Sequence, residues 1–191
     1  MRKTSCVSNS NKTIRETYTK ANMLVWARKN VEEIMRFLGV PNTNWALGGS
    51  VAAILYGIDF GRIPRDVDII VTEGIVDVIK LKVENSTLFR AEPTTSSIDD
   101  EWGTKHFAFR AAKGYIIDVI ESKEFFNEIY LIFGELNIIT IDNQIKYKKQ
   151  YNRFKDKEDL TLLISKAKQY GYVIDEDYSE STSDSDISDV D

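Results

Sequence analysis

The chain is short of cysteine, of histidine and of long apolar runs, and each shortage closes off a class of protein. Cys6 is the single cysteine. No intramolecular disulfide and no multi-cysteine zinc site can form, and a reducing, cytoplasmic compartment is the expectation. No apolar run approaches the ~20 residues that span a bilayer, and Met1 to Cys6 lacks the apolar core of a signal peptide. A membrane is therefore not among the expected partners. His106 is the only histidine, and on an alternating strand it reads as a surface residue rather than a ligand. Tyr172 to Asp191 contains no lysine or arginine but eight acidic residues. The formal net charge of −5 thus resides in that tail, and without those eight charges the remainder stands at +3. A mildly basic body is compatible with nucleotide or RNA substrates without establishing either.

What is present is enough for one domain with a substantial core or two small lobes: 191 residues, 42% of them apolar. Residues 1–17 are polar and read as a flexible arm. From about Tyr18 to Leu38, apolar residues recur at three- and four-residue steps (Leu24, Ala27, Val31, Ile34, Met35, Leu38), predicting a core-packing helix that Gly39 and Pro41 end. Ile75 to Val83 reads as a second covering helix. Glu84 to Asp100 is polar and reads as a loop with a short strand near Phe89. Lys105 to Ala112 alternates, Lys113-Gly114 turns, and Tyr115 to Ile120 follows as the second arm of a hairpin. Ser122 to Phe133 looks helical, Asn137 to Ile141 is a short β-rich segment, and Gln144 to Tyr151 and Lys155 to Tyr170 read as two further helices. Residues 172–191 form a Ser-rich acidic tail, disordered by composition. The expected division is an arm at 1–17, a core at 18–142, C-terminal helices packed on it at 143–171, and the tail at 172–191.

Chemistry concentrates between Trp45 and Val71, in WALGGSVAAILYGIDFGRIPRDVDIIV. Trp45 to Leu47 is a short buried strand. Gly48 and Gly49 allow a tight turn and close approach of a ligand to the backbone. Ser50 stands where a helix begins, a setting that suits phosphate. Asp66 and Asp68 occupy positions i and i+2 of a β-rich run, so they share a face while Val67, Ile69 and Val71 point to the core. Adjacent carboxylates repel unless a cation lies between them, and hard oxygen ligands favour Mg²⁺ or Mn²⁺. Asp118 stands alone on an apolar strand, Gly114 to Ile120. Such an acid is costly unless paired or metal-bound, although an edge-strand position or a structural salt bridge would also account for it.

Gly-Gly-Ser, a short helix, a loop and then Asp-x-Asp on a strand resembles the nucleotidyltransferase superfamily to which DNA polymerase β belongs. The pattern is most similar to its small bacterial branch of minimal nucleotidyltransferases, AbiEii-type toxins and antibiotic adenylyltransferases. Lys148, Arg153-Phe154-Lys155-Asp156 and Asp159-Leu160 follow in the order of that branch's distal motif, and the resemblance spans roughly Trp45 to Tyr170. It implies an α+β nucleotidyltransferase fold, a mixed β-sheet flanked by helices with C-terminal helices. It also implies transfer of an NMP from an NTP such as ATP to an acceptor hydroxyl, with pyrophosphate released.

Site roles follow from the same resemblance. Asp66 and Asp68 would hold two Mg²⁺ ions (Mn²⁺ being possible), and Asp118 would complete the metal shell and help deprotonate the acceptor. Gly48, Gly49 and Ser50 would hold phosphates, and Lys148 would neutralise the triphosphate. Arg62 and Arg65 would reach phosphate or belong to a solvated basic loop. Lys155 and Asp156 read as helix anchors or partner contacts. One departure is a loop lengthened by Asp59-Phe60-Gly61, which bears on access to the base or the acceptor. The acceptor, whether a protein hydroxyl, an RNA 3′ end or a small molecule, stays open, as does the oligomeric state. Two other readings remain: a catalytically silent nucleotide- or partner-binding module of the same fold, and an α+β domain whose acids are structural.

Overall fold

The computed structural model describes residues 19–92, 104–111, 114–122, 129–132 and 136–171. The expected arm at 1–17 and the acidic tail at 172–191 lie outside these residues. Helix α1 (Lys20–Phe37) starts at Thr19, whose hydroxyl accepts a hydrogen bond from the Asn22 N–H at 3.1 Å. It buries Met23, Trp26, Ala27, Val31 and Met35 along one stripe. Gly39, at φ 73°, reverses the chain, and a 3₁₀ turn leads into strand β1 (Trp45–Leu47). Helix α2 (Gly49–Leu55), strand β2 (Asp66–Val71), helix α3 (Ile75–Glu84) and strand β3 (Arg90–Ala91) follow. After them come β4 (His106–Arg110), β5 (Ile116–Glu121), β6 (Ile129–Ile132), β7 (Leu136–Ile139), α4 (Ile141–Tyr151) and α5 (Phe154–Gln169). No helix among the described residues is long and apolar enough to cross a membrane.

The seven strands form one mixed sheet in the order β3-β4-β5-β2-β1-β7-β6. β5 pairs with β2 in parallel, and β7 with β1 likewise, whereas β3–β4, β4–β5, β1–β2 and β6–β7 are antiparallel. Alternation along the two central strands sorts their side chains. Val67, Ile69, Val71, Ile117 and Val119 enter the main core with the apolar stripes of α1 and α3. Trp26 of α1 stacks on Tyr115 there, with ring centroids 4.5 Å apart. The opposite face carries Asp66, Asp68 and Asp118. Ile70 and Ile120 form a smaller cluster there with Ala46, Ile139 and Tyr147 of α4. A third cluster, Ala53 and Ile58 with Ile141, Ile145, Leu163 and Ala167, fastens α4 and α5 to α2.

Most element expectations match this architecture to within a residue or three. The exception is the helix expected over Ser122 to Phe133. Ile129–Ile132 is instead strand β6, paired antiparallel with β7 from Ile129↔Ile139 to Ile132↔Leu136. Residues 123–128 lie outside the described set. The run Ile-Tyr-Leu-Ile has strong β propensity, and the free edge of β7 supplies hydrogen bonds that decide the conformation, which a local reading of aromatic spacing does not include.

Because β5 packs its apolar side into the core, truncating Ile117, which is fully buried, is expected to destabilise the fold. Ile117→Ala should cost about 2–5 kcal/mol in urea-induced unfolding, and a loss below about 1 kcal/mol would contradict this placement of β5.

Candidate active site

Strand alternation gives Asp66 and Asp68 a common face, and the parallel register of β2 with β5 sets Asp118 directly beside Asp68. A carboxylate oxygen from each of the three lies within 4.8 Å of the other two. All three side chains are half-buried. Asp118 Oδ1 is buried and makes no hydrogen bond among the described residues, and its imidazole neighbour, His106 Nδ1 on β4, stands 3.9 Å away. Three converging hard oxygen donors, one of them an orphaned buried acceptor, fit a divalent cation of the Mg²⁺ or Mn²⁺ type.

The Gly48-Gly49-Ser50 turn is built against this cluster. The Gly48 N–H donates to the Asp68 backbone carbonyl at 3.0 Å, fixing β1 and the start of α2 to β2. A Cβ on Gly48 would stand 2.9 Å from Ile70 Cγ1. Gly49 lies at φ 56°, and a Cβ there would overlap the Asp68 carboxylate. Gly49 is therefore required by the backbone's close approach to Asp68, and Gly48 is set by its close approach to the Ile70 side chain on β2. Ser50 follows in the wall of the cleft.

Charge crowding is visible in the proton affinities. Burial, then Asp66, then Asp118, push the Asp68 carboxyl up to about 7, against the opposing pull of Lys148 and Lys155. Asp66 is raised in the same direction by burial and by Asp118, with Lys155 and Arg153 opposing. By accessible surface Asp68 is only half-buried, but at longer range it is ringed by protein, and the upward direction follows from that setting together with two like charges.

Helices α4 and α5 bring a second, oppositely balanced cluster to the rim. Lys148 Nζ donates to Asp159 at 2.6 Å and to Asp156 at 3.1 Å. Arg62, from the loop before β2, makes a two-bond fork to Asp159 at 2.6 and 2.5 Å. Arg153 Nε donates to Asp156 at 2.6 Å. Asp156 and Asp159 are fully buried. Burial pulls both upward, but Arg153 and Lys148 outweigh it at Asp156, and Arg62 and Lys148 outweigh it at Asp159, leaving both below the usual carboxylate range. The lengthened loop joins this cluster: Phe60 lies under Arg62 and Lys148, 5.0 and 5.3 Å from its ring centroid, and Asp59 pairs with Lys20 of α1.

Triad, glycine turn and basic rim enclose one cleft of about 750 Å³, part of it open to solvent. Asp66, Asp68, Asp118, Gly49, Ser50 and Lys148 all line it. Gly48 lies buried beneath it, and Arg65 is exposed and outside its lining. The cleft also gathers residues that sequence reasoning did not place in a site: His106, Gln144, Tyr147, Tyr151, Arg153 and Lys155. Gln144, Tyr147, Lys148 and Tyr151 recur at three- and four-residue steps on α4, a polar-aromatic stripe that was readable as one face of a helix. Nothing local announced that this face covers the carboxylates.

No family model matches this chain, and no curated protein does. Solved structures do. A solution structure of the antibiotic-resistance factor ANT(2'')-Ia aligns over 77% of this chain and 85% of its own, at 14% identity and a TM-score of 0.52. A crystal structure of ANT(2'')-Ia with adenylyl-2''-tobramycin aligns over 75% and 88%, at 14% identity and a TM-score of 0.48. The Megavirus polyadenylate synthase aligns over 87% of this chain but 39% of its own, at 11% identity and a TM-score of 0.49. The chain has the α+β nucleotidyltransferase fold, in agreement with the resemblance drawn from its motifs.

Two outcomes follow from the site's electrostatics. In the metal-free protein the folded-state affinity of Asp68 for a proton exceeds that of the unfolded chain. The stability this adds is therefore fully present below about pH 4 and is lost as pH rises through about 7. Melting in EDTA between pH 5 and 8 should fall by at most about 1.4 kcal/mol per pH unit for each such proton. Asp68→Asn should flatten that slope and melt higher at pH 8; identical profiles for the two proteins would refute it. Lys148→Met removes a cation from two buried carboxylates and should cost about 3 kcal/mol in urea unfolding, the remaining guanidinium contacts limiting the loss.

Proposed function

We propose that this protein is a nucleotidyltransferase that moves an NMP from a Mg²⁺-bound NTP to an acceptor hydroxyl. The observation that carries the reading is the placement of Asp118 beside Asp68 on parallel strands, against a Gly-Gly-Ser turn. Order in the sequence supports the small bacterial branch in particular. Lys148, Arg153, Asp156 and Asp159, four of the residues matching its distal motif, form one bonded network at the rim.

In the proposed reaction the acceptor oxygen attacks the α-phosphorus, and the bond to the pyrophosphate oxygen breaks. Two divalent cations would supply charge stabilisation to the attacking and leaving oxygens. Asp66 and Asp68 are the residues to hold them, with Asp118 as the third ligand. Asp118, whose Oδ1 is free of hydrogen bonds among the described residues, would take the acceptor proton. The Gly49-Ser50 backbone and the Ser50 hydroxyl, which line the cleft, would hold the phosphates. Arg62 and Lys148, both held by Asp159, tie the loop before β2 to α4 and α5 at the rim. The acceptor class is a protein hydroxyl, an RNA 3′ end or a small molecule.

Thermal melting with each of the four NTPs, with and without Mg²⁺, tests this on wild type and Asp68→Ala. A nucleotide at a hundred times its Kd adds about 2.7 kcal/mol, or about 5 °C or more for a domain of this size. That rise should require Mg²⁺ and vanish in the variant. The absence of a rise with every NTP would remove the nucleotidyltransferase reading.

A further inference from the structure

Four long-chain cations stand along the cleft: Arg62, Lys148, Arg153 and Lys155. Three are already committed to carboxylates. Arg62 is forked to Asp159, Lys148 bridges Asp156 and Asp159, and Arg153 is bound to Asp156. Lys148 is also buried, with 6% of its surface exposed. For its ammonium to reach a ligand, it would have to give up a contact with one of two buried anions, leaving Asp159 to Arg62 alone or Asp156 to Arg153 alone.

Lys155 differs on each count. It is exposed, it lines the cleft, and it makes no hydrogen bond or ion pair with any described residue. Its charge reaches the acids all the same, opposing the upward pull of burial on both Asp66 and Asp68. Its place in the fold is also poor for stability. Lys155 is the second residue of α5, where the helix dipole presents its positive end and a cation is unfavourable. Its sequence neighbour Asp156 does the anchoring: it closes the capping box with Arg153 and holds Lys148. Adjacent motif residues thus divide into one buried strut and one unengaged cation at the cleft.

We propose that Lys155 is the residue of this cleft that binds the nucleotide's triphosphate, and that Lys148 is a positioning residue which braces α4 against α5. The assignment rests on the nucleotidyltransferase reading. A flexible four-carbon stem ending in a compact charge suits an anion that enters and leaves. An ammonium already neutralised by two carboxylates adds little field at the phosphates.

Full-length wild type, Lys155→Met and Lys155→Arg are compared by titration calorimetry with Mg²⁺-NTP and with Mg²⁺-tripolyphosphate, which carries the charge without base or sugar. Each protein is also melted without ligand. Lys155→Met should melt at or slightly above wild type and bind both ligands roughly ten- to a hundredfold more weakly. Lys155→Arg should recover most of the affinity for both. Wild-type binding of Mg²⁺-NTP with undiminished binding by Lys155→Met overturns the assignment and leaves the enzyme reading intact. A weakened Lys155→Met that also melts lower and is not restored by arginine overturns it too, because the residue would then be structural. Failure of wild type itself to bind either ligand strikes at the nucleotidyltransferase reading instead.

Discussion

The parallel pairing of β2 with β5 holds Asp68 directly beside Asp118, and much of the surrounding structure can be traced to the cost of that juxtaposition. Three carboxylates within 4.8 Å of one another repel strongly wherever protein displaces water. The opposite faces of the same strands keep them there. Val67, Ile69, Val71, Ile117 and Val119 are almost completely removed from solvent, and each contributes about 1.5–3 kcal/mol by burial. A one-residue slip of either strand would bring its acids into the core and its apolar side chains to the cleft. The hydrophobic register therefore sets the electrostatic strain, and the strain is located at three carboxylates that could hold a cation.

The rim answers a different constraint. Arg62, Lys148 and Arg153 share two buried aspartates, each held by two cations, so that loss of either aspartate would strand two cations and loss of a cation weakens the hold on a buried anion. Such a network adds little to stability compared with apolar packing. What it fixes is position: the loop before β2, α4 and α5 are tied at one point, with Phe60 beneath two of the cations. That fixed edge brings the α4 face over the carboxylates and leaves Lys155 lining the cleft without a partner among the described residues.

Much of this was legible in the sequence because it depends on local periodicity. The i, i+2 placement of Asp66 and Asp68, the apolar stripe of α1 and the glycine turn are all short-range patterns, and each matches the structure. Asp118 was legible as an anomaly, a lone acid on an apolar strand. The Ser122–Phe133 segment misled because aromatic spacing resembles a helix face when the edge of β7 is not in view. Lys148 and Lys155 could not be told apart by spacing, since both are lysines on amphipathic helices. The difference between them lies in which carboxylates fold back towards each.

By itself, then, the sequence determined which residues share a face, where the chain must turn through glycine, and which acids have no local partner. These follow from the two-residue and 3.6-residue repeats of backbone geometry. Only the tertiary structure decided that Asp118 stands beside Asp68 rather than elsewhere on the sheet, that Ile129–Ile132 is a strand, and that Lys148 is committed while Lys155 is not. Strand register and ion-pair choice are set by contacts between segments tens of residues apart. Their energies depend on distance and burial, neither of which is written in a local pattern.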